Sequence, residues 1–213
     1  MIESENVGQN VLREIHMLLA FHEDTQPQGS LFKCHAAIHQ LPIPKMAKPV
    51  FSDDSKIDLF ALLVDARTGI STEMIELWQH YQERQFPRIM IVQGIEFSES
   101  DFDDIVLIGN RVLEPFATPF LVLHDDLGIP TALISLEDNL VHDYSGVEAN
   151  RFSADSELVE LVSDFQEEYL QLYKELGDDG FFQGIFAIAI PVGSSKPFGI
   201  EELNGIIESL AKR

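Results

Sequence analysis

The chain has 213 residues, 45% of them apolar, enough for one sizeable core and too many for wholesale disorder. Its 36 acidic residues against 14 basic ones give a formal charge of -22, which excludes a free-standing nucleic-acid binder and argues against anionic membrane surfaces. The lone cysteine, Cys34, cannot close an internal disulfide, and residues 184–192, the most apolar run, fall far short of a membrane span. The start Met1-Ile2-Glu3-Ser4-Glu5 has neither the basic residues nor the apolar core of a signal peptide, so a soluble cytoplasmic protein is expected.

In chain order, Val11, Leu12, Ile15, Leu18 and Leu19 recur at spacings of three and four, which predicts a helix over residues 10–21. Residues 23–30 are polar, carry Pro27 and Gly29, and predict a loop. Residues 32–41 suit a strand, ended by Leu41-Pro42-Ile43-Pro44, whose prolines forbid a regular element. Strands are then predicted at 59–64, 89–92 and 119–123. Between them lie helices at 72–84, with Met74, Trp78 and Tyr81 on one face, and at 100–114, with Phe102, Ile105, Val106, Gly109, Val112 and Leu113. This alternation predicts a mostly parallel sheet covered on both faces.

Residues 130–144 break that rhythm. Apolar stretches at 131–136 and 140–144 flank Glu137-Asp138-Asn139, which predicts a small antiparallel pair joined by a turn. A long helix follows over 155–176, with Leu158, Leu161, Val162, Phe165, Tyr169, Leu172 and Leu176 facing inward and Gly177 ending it. A strand at 185–192, a loop at 193–199 and a helix at 200–211 complete the chain.

Val64-Asp65-Ala66, Gly69, the helix with Trp78, Phe86-Pro87-Arg88, the insert at 130–176 and Pro191-Val192-Gly193-Ser194-Ser195-Lys196 occur in that order. In order and spacing the chain resembles the GTP-binding domain of bacterial elongation factor G, over about residues 58–210. The resemblance implies a three-layer α/β G domain of the P-loop NTPase type, spanning 1–213, with a small α+β insert at about 125–180. The further domains that follow the G domain in that family are absent, so ribosome translocation by this chain alone is not expected.

The departures from the family bear on function. A phosphate-binding loop needs Gly-x-x-x-x-Gly-Lys-Ser/Thr, because its backbone N–H groups, lysine and hydroxyl hold phosphates and magnesium. No Gly-Lys pair exists in the chain, and the nearest remnant is Gly8-Gln9-Asn10. Only seven residues precede Gly8, so the family's central first strand is expected to be missing or replaced. Leu41-Pro42-Ile43-Pro44 stands where the magnesium- and phosphate-sensing Asp-x-x-Gly belongs, followed by Lys45 and Met46 rather than a catalytic histidine. Gln93-Gly94-Ile95-Glu96 replaces the guanine-reading Asn-Lys-x-Asp, with Glu96 keeping the charge and Gly94 having nothing to pack with. Only the closing loop of Gly193, Ser194, Ser195 and Lys196 matches the family.

Losing several charge-assisted contacts, each worth on the order of 1.5–3 kcal/mol, would abolish ordinary nucleotide affinity. The expectation is a degenerate G domain with no catalytic residues, no metal site and no cofactor, acting as a protein-interaction module. Vestigial nucleotide contacts fall at Gly8, Gln9, Asn10, Gln93, Gly94, Glu96, Ser194, Ser195 and Lys196. The alternative is a working GTPase with a non-standard phosphate loop, which would take GTP or GDP with magnesium.

Among other candidates, His35 and His39 would lie about 13 Å apart on a strand, too far to share a metal with Cys34 and the nearby Asp53 and Asp54. His124-Asp125-Asp126 reads as a solvated loop, and Gly193-Ser194-Ser195 lacks a nucleophile elbow. The long helix carries an acidic outer face that includes Glu160, Asp164 and Glu167. The matching family helix touches the ribosomal stalk protein, so these three residues are the candidate contacts to that partner or another translation component. Dimerisation through an exposed sheet edge is a further expectation.

Overall fold

The computed structural model describes residues 13–25, 27, 31–34, 36–43, 55–97, 99, 101–146, 148–176, 179–194 and 197–212. Its main sheet is built from β1 (Ile15–His22), β2 (Ala36–Ile43), β3 (Leu59–Asp65), β4 (Arg88–Gln93), β5 (Phe116–Ala117) and, late in the chain, a strand at Ala187–Pro191. Helices α1 (Thr72–Glu83) and α2 (Phe102–Val112) follow β3 and β4. A second sheet consists of β6 (Phe120–His124), β7 (Pro130–Ser135), β8 (Leu140–Asp143) and β9 (Asn150–Ser153). After it come α3 (Ser156–Leu176), α4 (Asp179–Phe182), the strand at Ala187–Pro191, which is β10, and α5 (Ile200–Ala211).

The main sheet has the order β2-β1-β3-β4-β10-β5, with every pairing parallel. Its strands alternate between two cores. Leu59, Ala61 and Leu63 of β3 and Ile188 and Ile190 of β10 face the core shared with α5. Phe60, Leu62 and Val64, with Ala187 and Ala189, face the core shared with Trp78, Tyr81 and Phe102 of α1 and α2. The second sheet is antiparallel, in the order β6-β7-β8-β9, and is inserted between β5 and β10. The α/β architecture expected from the alternation is therefore present.

Four expectations are corrected. Residues 15–21 form a strand, not a helix: Met17, Leu19 and Phe21 enter one core while Leu18 and Ala20 enter the other. Burial on both faces removes the alternation that marks a half-exposed strand. A parallel strand is thus present between β2 and β3. β2 runs through Pro42 to Ile43, which an edge strand tolerates because the missing N–H costs no ladder bond on its outer side. The strand expected at 119–123 belongs to the antiparallel sheet, and the short β5 takes the parallel edge. Leu161 and Phe165 of α3 are 74% and 54% exposed rather than inward, whereas Val162 and Tyr169 are buried.

One buried ion pair ties the α1–α2 side together. Arg88 donates from Nε and Nη2 to Glu114 Oε1 and Oε2 at 2.7 and 3.0 Å, and to the carbonyls of Phe86 and Gly184. Trp78 Nε1 donates to the same Glu114 Oε1 at 2.8 Å. Phe86-Pro87-Arg88 is therefore a structural clasp at the start of β4. Among the described residues, no helix is long and apolar enough to cross a membrane.

Candidate functional site

Parallel α/β sheets present their working loops at the carboxyl ends of the strands. Here that rim is made by the loops after β1, β3, β4 and β10. After β3 the chain turns tightly, with the Thr68 and Gly69 amides donating to the Asp65 carbonyl. Asp65, 3% exposed, accepts from Arg67 N and Nε at 3.0 and 2.8 Å, and from Nη2 at 2.5 Å. Arg67 beside it holds the Asp65 carboxyl below the usual carboxylate range.

This pair explains Gly94. A Cβ there would lie 2.9 Å from Asp65 Oδ1 and 3.5 Å from Arg67 Nε, and its φ of +79° suits glycine. The Asp65–Arg67 pair therefore lies over Gly94, in space that a side chain at this position would need. Gln93, buried at the end of β4 and paired in register with Asp65, adds a smaller contribution to the same lowering. The single 3-10 turn Ile95–Phe97 follows. From it Glu96 reaches across to β10, where its Oε1 accepts from the Ser194 amide at 2.5 Å. Gln93, Gly94 and Glu96 thus lie with Ser194 on one rim of the sheet. Ser195 and Lys196 lie outside the described residues. Beside Glu96 is a cavity of about 200 Å³ lined by Ile95, Glu96, Phe97, Ile129, Pro130, Gly193 and Phe198.

The described part of the loop after β1 differs from a phosphate cradle. Such a cradle places a helix N-terminus directly after its strand, aiming backbone N–H groups at the anion. The described residues between β1 and β2 contain no helix. Residues 31–34 instead form a strap bound to α5 through Asn204. Its Oδ1 accepts from Lys33 N and Cys34 N at 2.9 and 3.1 Å, and its Nδ2 donates to the Leu31 carbonyl at 3.1 Å. Asn204 has no local sequence signal, because its partners are some 170 residues away. Gly8, Gln9 and Asn10 lie outside the described residues and precede β1 in the chain, whereas a phosphate loop follows its strand.

The remaining candidates are dispersed. His39 stacks on His16 across β1 and β2, with Nε2 3.1 Å from His16 Nδ1. His35, Asp53 and Asp54 lie outside the described residues. Asp125 Oδ1 accepts from the Leu127 and Ile129 amides, so residues 124–129 form an exposed hairpin turn. Glu160, Asp164 and Glu167 all lie exposed on α3.

No protein-family model matches the chain, and no curated protein matches it. Among solved structures, a crystal structure of a protein from Thermus thermophilus is similar, with a TM-score of 0.68 at 14% identity. The likeness covers 95% of this chain and 40% of that one, so the chain spans less than half of its neighbour's length. What the likeness defines is an α/β protein with a mostly parallel six-stranded sheet and a smaller antiparallel one.

Proposed function

We propose that this chain is a degenerate elongation factor G-like G domain that has given up nucleotide chemistry and works through protein contacts on α3. The described loop after β1 carries the reading: residues 23–25, 27 and 31–34 contain no helix, and 31–34 are tied to α5 by Asn204 rather than left open to a phosphate. Two further contacts support it. The carboxylate at the guanine-reading position is engaged by the chain's own Ser194 amide, and the lysine position is a glycine beneath Arg67. The expected result by calorimetry is no heat with GTP or GDP up to millimolar concentration, with or without magnesium, and an unchanged melting temperature. Micromolar binding that discriminates guanine from adenine would overturn this.

That outcome is the second reading, a GTP-binding protein with a non-standard phosphate loop. The base-sized cavity beside Glu96 is the observation that favours it.

On α3, Leu161 and Phe165 project among Glu157, Glu160, Asp164 and Glu168. An exposed apolar stripe flanked by carboxylates fits a basic protein surface with an apolar centre. The resemblance makes the ribosomal stalk protein the first partner to titrate. Reversing Glu160, Asp164 and Glu167 to lysine should weaken that binding at least tenfold while leaving the melting temperature within a few degrees. Unchanged affinity, or no binding by the parent chain, would remove α3 from the proposal.

A further inference from the structure

A second cavity lies away from the strand ends, between α5, α3 and the inserted sheet. Its volume is about 660 Å³, within the range of small-molecule sites. Phe120, Tyr169, Tyr173 and Phe182 supply aromatic wall, and Glu202 of α5 supplies its most deeply buried charge. The Glu202 side chain is 1% exposed. Its Oε1 accepts from Tyr144 OH at 2.6 Å and meets His142 Nδ1 in a short contact. Its Oε2 is buried with no hydrogen-bond partner among the described residues.

A buried carboxylate oxygen left without a donor is costly, which makes this atom an unmet demand for N–H. Neither Lys212 nor Arg151, both of which line the cavity, meets it. Arg151 Nη2 bonds Glu201 Oε2 at 2.9 Å and stays 4.0 Å from Glu202 Oε1. His142 and Tyr144 both converge on Oε1, so the cluster joins the insert to α5 through one oxygen and leaves the other unused.

Gly205, one turn further along α5, also lines the cavity. A Cβ there would meet nothing within 4 Å. Its backbone is helical, so neither turn geometry nor close packing asks for glycine, although glycine costs a helix about 1 kcal/mol relative to alanine. What the missing side chain does is leave that stretch of the cavity wall open.

We propose that this cavity binds a small organic cation, an aromatic amidine or amine, whose N–H groups bond Glu202 Oε2 while its body lies against the tyrosine and phenylalanine wall. Aromatic faces and a desolvated carboxylate both favour a cation, and charge-assisted hydrogen bonds to the carboxylate supply the specificity. Anions of the same shape are rejected by the same oxygen.

The test is a titration of the full chain with benzamidine, followed by amide NMR and calorimetry, with benzoate as the shape-matched anion. Saturable shifts at Tyr144, Arg151 and Gly205 are expected with benzamidine and none with benzoate. Glu202→Gln keeps the side chain's size and should weaken benzamidine about tenfold or more. Gly205→Phe should abolish binding by filling the opening, and it reports on the site even if Glu202→Gln fails to fold. No saturable response, equal binding of benzoate, or benzamidine affinity unchanged in a folded variant would each overturn the proposal.

Discussion

Replacing Arg88 by methionine is expected to destabilise the protein by about 3–5 kcal/mol, because it strips the partner from a buried carboxylate. Glu114 is only 8% exposed, so its charge cannot be taken up by water. The same substitution orphans the Phe86 and Gly184 carbonyls that Arg88 now satisfies, which opens the joint between β4 and the turn before β10. Urea unfolding with tryptophan fluorescence is well suited, since Trp78 donates to Glu114 and reports on this cluster directly. Adding Glu114→Gln to Arg88→Met should recover a large part of the loss, because the amide oxygen still accepts from Trp78 without a buried charge. Additive costs in the double variant would show that the pair is not the source of the effect.

Gly199→Ala is expected to cost a comparable amount, about 3–5 kcal/mol, or roughly 10 °C in Tm for a chain of this size. Gly199 sits at the N-terminus of α5 with φ +71°, and an added Cβ would lie 1.9 Å from the Pro191 carbonyl oxygen. No side-chain adjustment relieves a clash between Cβ and backbone. The turn it would break is closed by the Gly193 amide donating to the Phe198 carbonyl, and it carries the Ser194 amide to Glu96. Thermal unfolding by circular dichroism measures this, and a Tm within two or three degrees of the parent would contradict the close approach described for this turn.

Legibility in the sequence followed how local each element is. α1, α2 and α5 each have one buried face, so helical spacing revealed them within a residue or two. β3 and β4 are apolar over 59–64 and 89–92 and bounded by Asp65 and Pro87, which separated them from helices by length. β1 had no such boundary. Its run of buried side chains fits either period, and Val11 and Leu12 just upstream supplied a false helical spacing. α3 failed differently: its apolar stripe was visible, but which of its residues reach the core depends on how the insert sits, and Leu161 and Phe165 do not.

The rim was partly legible for the same reason. Gln93, Gly94 and Glu96 form one short segment placed by a strand, and Ser194 follows the neighbouring strand. The Arg67 guanidinium over Gly94 was missed although Asp65 and Arg67 are two residues apart, because the turn that brings them over β4 is set by Gly69 and the sheet register. The cluster of His142, Tyr144 and Glu202 was not legible at all. Its members are about 60 residues apart and meet only when the insert folds against α5.

The Glu96–Ser194 bond has a consequence for how the protein behaves in a changing environment. It links the ends of β4 and β10 with atoms the chain always carries. A domain whose rim is closed by a ligand becomes more or less durable as the ligand's concentration rises and falls. At this joint the chain's own atoms do what a ligand does in such a domain, so the alignment of β4 with β10 at the rim is built into the sequence itself.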